Sequence, residues 1–244
     1  IRDSLYGKSY GLGDVLAIKF LSHDDSNQTI IATDANSGDL YYSNNLGKDW
    51  ESATGLIDIE HSLFEESFGI HIVEEATSNP MVLYAGYIQS KIKGQDPHQL
   101  DEIEQSPGMY KSIDGGMSWF PINNGLPDKD YSRNISDIAV SKQNENIVYI
   151  NSLFDGLYYT VDGGESWNHL KGDLPAGMSW DDCGHTCVNE EGERIDMEDM
   201  EPSEMILRKH AMSVAVNPQN DQEIFLGTNA VSYTHLTLPT SKIV

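Results

Sequence analysis

Arginine is nearly missing from this chain of 244 residues, which holds Arg2, Arg133, Arg194 and Arg208 and no others. Cysteine is scarcer still, at two, and no apolar run is long enough to cross a bilayer as a helix. Lysine and arginine together number 15 against 39 aspartates and glutamates, a formal net charge of −24. Nucleic acid is bound by clustered Lys and Arg that displace phosphate counterions, so this deficit excludes it as a partner. An anionic membrane surface is disfavoured on the same ground, and no membrane insertion is expected of this segment. The first residue is Ile1, and neither the charged start nor the apolar stretch of a signal peptide follows it. Ser-His-Asp and Cys-His nucleophile signatures are absent, as are glycine loops that cradle phosphate. Apolar residues nonetheless make up 39% of the chain and run throughout it, enough to bury a core.

Internal repetition is the strongest positive signal. Lys111–Trp119 and Tyr159–Trp167 both fit [ST]-x-D-G-G-x-S-W, through Ser112, Asp114, Gly116 and Trp119 and through Thr160, Asp162, Gly164 and Trp167. A third copy, Tyr42–Trp50, keeps Ser43, Gly47 and Trp50 but has Asn45 in the Asp place. Each is followed by a Gly-Leu element or a near equivalent: Gly55-Leu56, Gly125-Leu126 and Gly172-Asp173-Leu174. Pairs of apolar runs split by polar turns also recur: Leu16–Phe20 with Thr29–Thr33, Ile70–Val73 with Val82–Gly86, Ile135–Val140 with Ile147–Asn151, and Met212–Val216 with Glu223–Thr228. Short Val-, Ile- and Tyr-rich runs bounded by such turns are strands, and helical periodicity is sustained nowhere. In order they make strands A and B, a loop, strand C, the Asp-containing turn, and strand D opening at the Trp. That is a four-stranded antiparallel blade, and the expected fold is an all-β propeller with about three complete blades and a partial fourth.

The divisions are residues 13–57, then 68–128 with an insertion at 88–108, then 134–175, an acidic insertion at 176–209, and a partial blade at 210–230. Residues 231–244 abandon the repeat and are left out of the fold reading as a non-native tail. In the turn, the Asp carboxylate is suited to accept backbone N–H groups, Gly116 and Gly164 supply positive φ, the Ser or Thr hydroxyl ties the turn back, and the Trp buries a large face between blades. Asp114 and Asp162 are therefore structural, and the turn at Asn45, lacking the charge, is expected to be the weakest.

These residues resemble the Asp-box, or BNR, repeat family of β-propellers, which includes sialidases, xyloglucan-degrading glycoside hydrolases, sortilin-type receptors and photosystem II assembly factors. The resemblance covers residues 13 to about 229 and implies a fragment of an exported propeller, secreted, periplasmic or at the cell surface. In the xyloglucanase-like branch an acidic residue follows strand B in a Thr-Asp context, and Thr33-Asp34 is similar, which makes Asp34 the catalytic candidate; Thr-Asp is equally a common turn opening. Sialidases bind the substrate carboxylate with three arginines, and the four arginines here do not assemble that pattern.

Both long insertions fall at the end of the blades opposite the Asp boxes, so that face is the candidate for a glycan or protein ligand. Tyr87, Asp155 and Trp180 belong to it, the aromatics as stacking surfaces for sugars. No cofactor is required. Acidic loops such as Asp96 to Glu104 and Asp181 to Glu204 hold the oxygen ligands calcium takes, without EF-hand spacing, and solubility explains the acidity equally well. Cys183 and Cys187 are either a local disulfide, in keeping with an exported family, or two ligands of a soft metal.

Overall fold

The apolar runs pair as hairpins, and each of the first three hairpins grows into a four-stranded sheet by adding two strands at one side, the last by adding one. The computed structural model describes residues 15–22, 28–34, 39–56, 69–88, 108–127, 134–152, 156–170 and 211–228, with short strands at 183–184, 186–188, 194–196 and 233–237. The first sheet is β1 (Val15–Phe20), β2 (Ile30–Asp34), β3 (Leu40–Ser43) and β4 (Glu51–Ser52), antiparallel and in chain order. The second is β5 (Gly69–Glu75), β6 (Leu83–Ile88), β7 (Met109–Ser112) and β8 (Phe120–Pro121), and the third β9 (Ile135–Val140), β10 (Val148–Ser152), β11 (Gly156–Thr160) and β12 (Asn168–His169). A small sheet follows from β13 (Cys183–Gly184), β14 (Thr186–Val188) and β15 (Arg194–Asp196). The last sheet pairs β16 (Ala211–Asn217), β17 (Asn220–Thr228) and β18 (Tyr233–Thr237). Among the described residues there is no helix, and none therefore long and apolar enough to cross a membrane.

The segment 233–237, set aside as outside the repeat, takes the third place in the last sheet, with Ile224 opposite Leu236. An unfilled strand edge presents a row of N–H and C=O groups, and a β-prone stretch such as Tyr-Thr-His-Leu-Thr can satisfy them.

Register makes the blades superimposable. Ile30, Leu83 and Val148 each face the hydroxyl residue that opens a box: Ser43, Ser112 and Thr160. Strand A carries a β-bulge at the same height in all four repeats, leaving His71, Ser136 and Met212 as the extra residues and falling between Val15 and Ile18 in the first. A bulge repeated at one height bends every inner strand alike.

The core lies between blades. Leu21, Ile31 and Leu40 of the first pack on Ile70, Val73, Leu83, Tyr87, Tyr110 and Trp119 of the second. Val82, Tyr84, Met109, Ile122 and Leu126 of the second meet Ile135, Ile138, Val148, Ile150, Tyr158 and Trp167 of the third. Tyr149, Leu157 and Leu170 of the third meet Val214, Ile224 and Leu226 of the fourth. Each such side chain contributes about 1.5–3 kcal/mol when taken out of water.

Backbone bonds sew the same seams. Thr54 N–H donates to Met117 O at 3.0 Å, and Trp119 N–H donates to Thr54 O at 2.8 Å. One blade on, Trp167 N–H donates to Asn124 O at 2.9 Å. The glycine after Thr54 and after Asn124 is the joint. At Gly55 (φ 83°) a Cβ would lie 1.9 Å from Trp119 O, and at Gly125 (φ 89°) 2.3 Å from Trp167 O, so no larger residue fits. The Gly-Leu element of the repeat is thus the contact point between successive blades.

Candidate functional site

The boxes show which carboxylates are already engaged. Thr160 donates to Asp162 at 2.6 Å, and Asp162 accepts the N–H of Ser166 at 3.0 Å and its hydroxyl at 2.6 Å. Asp114 accepts the hydroxyl of Ser112 at 2.8 Å, the N–H groups of Met117 and Ser118, and the Ser118 hydroxyl. Burial pushes both aspartates up, but the hydrogen bonds outweigh it and hold both carboxyls below their ordinary value. The indoles finish the turns: Trp50 donates to Gly47 O and Trp119 to Gly116 O, whereas Trp167 reaches across the seam to Ile122 O at 2.6 Å. With both carboxylate oxygens engaged in their own turns, these aspartates are turn staples.

Each box also sits against its own A–B turn. Leu46, Gly115 and Gly163 occupy the same box position and donate their N–H groups to Gln28, Met81 and Asn146. A–B and C–D turns therefore share one end of the blades, and strand B finishes at the other.

At that other end the register makes Asp34, Tyr87 and Ser152 equivalent, each the residue four beyond the start of its repeat at Ile30, Leu83 or Val148. All three are buried, at 3%, 5% and 2% exposure. Asp34 N–H donates to Asp39 O at 3.0 Å, and Tyr87 N–H donates to Gly108 O at 2.9 Å. These are the same bond in two blades, closing a short loop in the first and the neck of the long insertion in the second. The insertion is grafted onto an unaltered blade. Tyr87 packs in the seam with Ile70 and Tyr110, and burial, Tyr110 and Asp39 push its hydroxyl far above its ordinary value. Its ring is core rather than a surface on which a sugar stacks. Asp155 and Trp180 lie outside the described residues. For Cys183 and Cys187 the backbone is described, and the register sets them directly opposite each other on β13 and β14. Antiparallel partners lie about 4.5–5.5 Å apart at Cα, a span a disulfide bridges.

One feature at the first seam was not anticipated. A groove of about 310 Å³ is lined by Ile18, Lys19, Ile31, Thr33, His71, Ile72, Val73 and Glu74. Lys19 donates to Glu74 at 2.7 Å and to Val73 O at 3.1 Å, and Ser22 N–H donates to Glu75 at 2.7 Å. His71, the bulge residue, is half-buried, and burial lowers its pKa against the pull of the Ser136 and Gly86 carbonyls. The signal for this contact lay in the repeat: Lys19 and Glu74 hold the same strand-A position in neighbouring blades, with opposite charge. Among the described residues no group of three or more His, Cys, Asp or Glu is placed to hold a metal ion, and the acidic loops considered for calcium fall mainly outside them.

No protein-family model matches the sequence, and no characterised protein sequence matches it significantly. Solved structures do. A GH74 enzyme from Niastella koreensis aligns over 89% of this chain with a TM-score of 0.52 and 14% identity. The GH74 xyloglucanase from Xanthomonas campestris aligns over 89%, with a TM-score of 0.44 and 14% identity. YCF48, in a structure with a D1 peptide, aligns over 93%, with a TM-score of 0.42 and 14% identity. The chain spans 28% of the Niastella enzyme, 35% of the xyloglucanase and 69% of YCF48. At 14% identity the likeness to the Niastella enzyme concerns the fold, and together with the four-stranded antiparallel sheets it defines a partial β-propeller of antiparallel blades.

Proposed function

We propose that this chain is part of an exported Asp-box propeller that acts as a binding scaffold, taking a glycan or protein ligand on the face opposite the boxes. The observation that carries this reading is the shared neck bond. Asp34–Asp39 and Tyr87–Gly108 close loops of very different length on identical blade ends, which is how a rigid scaffold displays variable binding loops. The box aspartates are occupied in their turns, and Asp34 and Tyr87 are buried in the blade end, so recognition falls to the loops beyond. The opposed Cys183 and Cys187 support an oxidising compartment, where a local disulfide persists.

The second reading is a glycoside hydrolase in which Asp34 is one of two carboxylates. Its support is position: Asp34 ends strand B on the loop face, where a Thr-Asp acid of the xyloglucanase-like kind stands. One experiment separates the two. The protein is incubated with soluble β-glucans and screened on a glycan array, alongside Asp34→Asn and a variant in which the 35–38 loop replaces 88–107. Binding without product, lost on loop replacement and kept in Asp34→Asn, is expected. Product that disappears in Asp34→Asn establishes the hydrolase instead.

A further inference from the structure

Nine large apolar side chains are exposed among the described residues, and five of them stand on the turns of the Asp-box end. Ile113 is 60% exposed, Leu46 51%, Met117 42%, Val161 39% and Met81 38%. Met81, Ile113 and Met117 stand on adjoining turns, since Gly115 N–H bonds Met81 O and Met117 O accepts from Thr54 of the first blade, while Leu46 and Val161 hold the corresponding turns of the blades on either side. The turn itself does not need them. Where Ile113 and Val161 stand, the first box has Asn44; where Met117 stands, the other boxes have Lys48 and Glu165; where Leu46 stands, with φ 61°, the others have glycine. The sibling boxes prove polar or small residues sufficient at each place, so the apolar ones are exposed for a reason outside the fold.

We infer that the Asp-box end is a second interaction surface, and that its partner is a basic amphipathic segment of another protein. Carboxylates flank the apolar side chains: Asp49 and Glu165 are exposed, and Asp114, Glu145 and Asp162 are half-buried. Lys48 and Lys142 stand among them, while the Lys111 ammonium is committed to Gly163 O at 2.9 Å. A second copy, bringing its own charge of −24, is repelled from this surface. A helix with an apolar stripe and flanking lysines meets both its features, the stripe on Ile113 and Met117, whose unbranched thioether adapts to the contour, and the lysines on the carboxylates. This surface is independent of the loop-face ligand proposed above.

The test uses a fluorescent synthetic peptide of Leu and Lys at helical spacing, with two controls: Gln replacing Leu, and Glu replacing Lys. The protein is titrated as wild type, as Ile113→Asn/Met117→Glu, and as Ile18→Ser, which alters an exposed apolar residue on the first blade's strand A, opposite Ala32 and set back from this end. Both residues of the double variant already occur at those places in sibling boxes, and its fold is checked by circular dichroism. Since Met117→Glu adds a negative charge, mere charge attraction tightens, whereas docking on the apolar turns weakens about tenfold or more. Weaker binding in the double variant alone, with both control peptides poor, is the expected result. Unchanged or tighter binding, equal loss in Ile18→Ser, or equal binding of the Gln peptide overturns the proposal. So does capture of zwitterionic vesicles that is lost in the same double variant, which assigns the surface to lipid. Replacing 88–107 leaves this titration unchanged, so its failure and that of the loop-face reading are told apart.

Discussion

The Asn45 side-chain amide donates to the Asp49 carboxylate at 2.9 Å, and the Asp49 N–H donates back to Asn45 Oδ1 at 2.9 Å. In the other boxes the carboxylate stands at the first of these places and a serine at the second, as in Asp162 and Ser166. The charge has moved four residues along the turn while the Ser43 hydroxyl still bonds Asn45 and accepts the Gly47 N–H at 2.8 Å. A weak first turn was expected from Asn45 alone, but Asp49 returns the charge that Asn45 lacks.

Restoring the consensus residue at this place is therefore expected to do harm. Asn45→Asp sets two carboxylates against each other and costs about 1 kcal/mol, whereas Asn45→Asp/Asp49→Ser recovers the loss. Urea unfolding of the two single variants and the double measures the coupling. Additive effects would show that the pair does not act as a unit.

Gly55→Ala is expected to cost about 2–4 kcal/mol, because a left-handed backbone and a carbonyl at 1.9 Å both oppose the new methyl group. Its unfolding midpoint should fall well below that of Thr54→Ala, whose contribution to the seam is through backbone bonds. Equal midpoints for the two would refute the joint.

Tyr149 donates to Asp221 O at 2.6 Å, and Tyr84 donates to Glu145 O at 2.8 Å, each hooking the next blade's A–B turn. Tyr149→Phe keeps the ring and leaves a carbonyl without its donor, for a loss of about 1–3 kcal/mol. Hydrogen exchange should quicken in β16 and β17 and not in the first blade. Uniform quickening would argue against a local hook.

Acid should act in two stages. Burial raises Asp137, although the Val214 and Ile138 N–H groups pull it down, so its folded form holds a proton more tightly than the unfolded chain, and protonation adds stability as pH falls through that raised value. Asp114 and Asp162 are depressed, so their contribution is whole above the ordinary carboxylate range and is lost as pH falls through the lower folded values. Asp137→Asn is expected to remove the first response and Asp114→Asn to shrink the second, read from thermal midpoints across the acid range. A pH profile identical to wild type in both would refute the assignment.

Much of the fold was legible because its determinants are local. The Asp-Gly-Gly turns and the strand alternation lie within a few residues, and the structure has the boxes at Asp114 and Asp162 doing what those residue types imply. The Gly-Leu element was visible as a repeat but not as a joint, since the atom that excludes a side chain at Gly55 belongs to Trp119, in another blade. Tyr87 illustrates the limit at the candidate site. Its place at the loop end followed from topology, but its burial depends on Ile70 and Tyr110, and no short window of sequence reports that packing. The exchange at Asn45 and Asp49 was readable, being a spacing of four, once both residues were compared with the sibling boxes together.

Among the described residues each apolar cluster belongs to two sheets, and none lies within a single sheet. What folds as a unit is therefore a pair of facing sheets, and stability passes along the chain from neighbour to neighbour. A protease cutting within 88–107 would leave the halves joined through both adjoining interfaces. A single blade excised at its loops would carry two half-cores and nothing to close them.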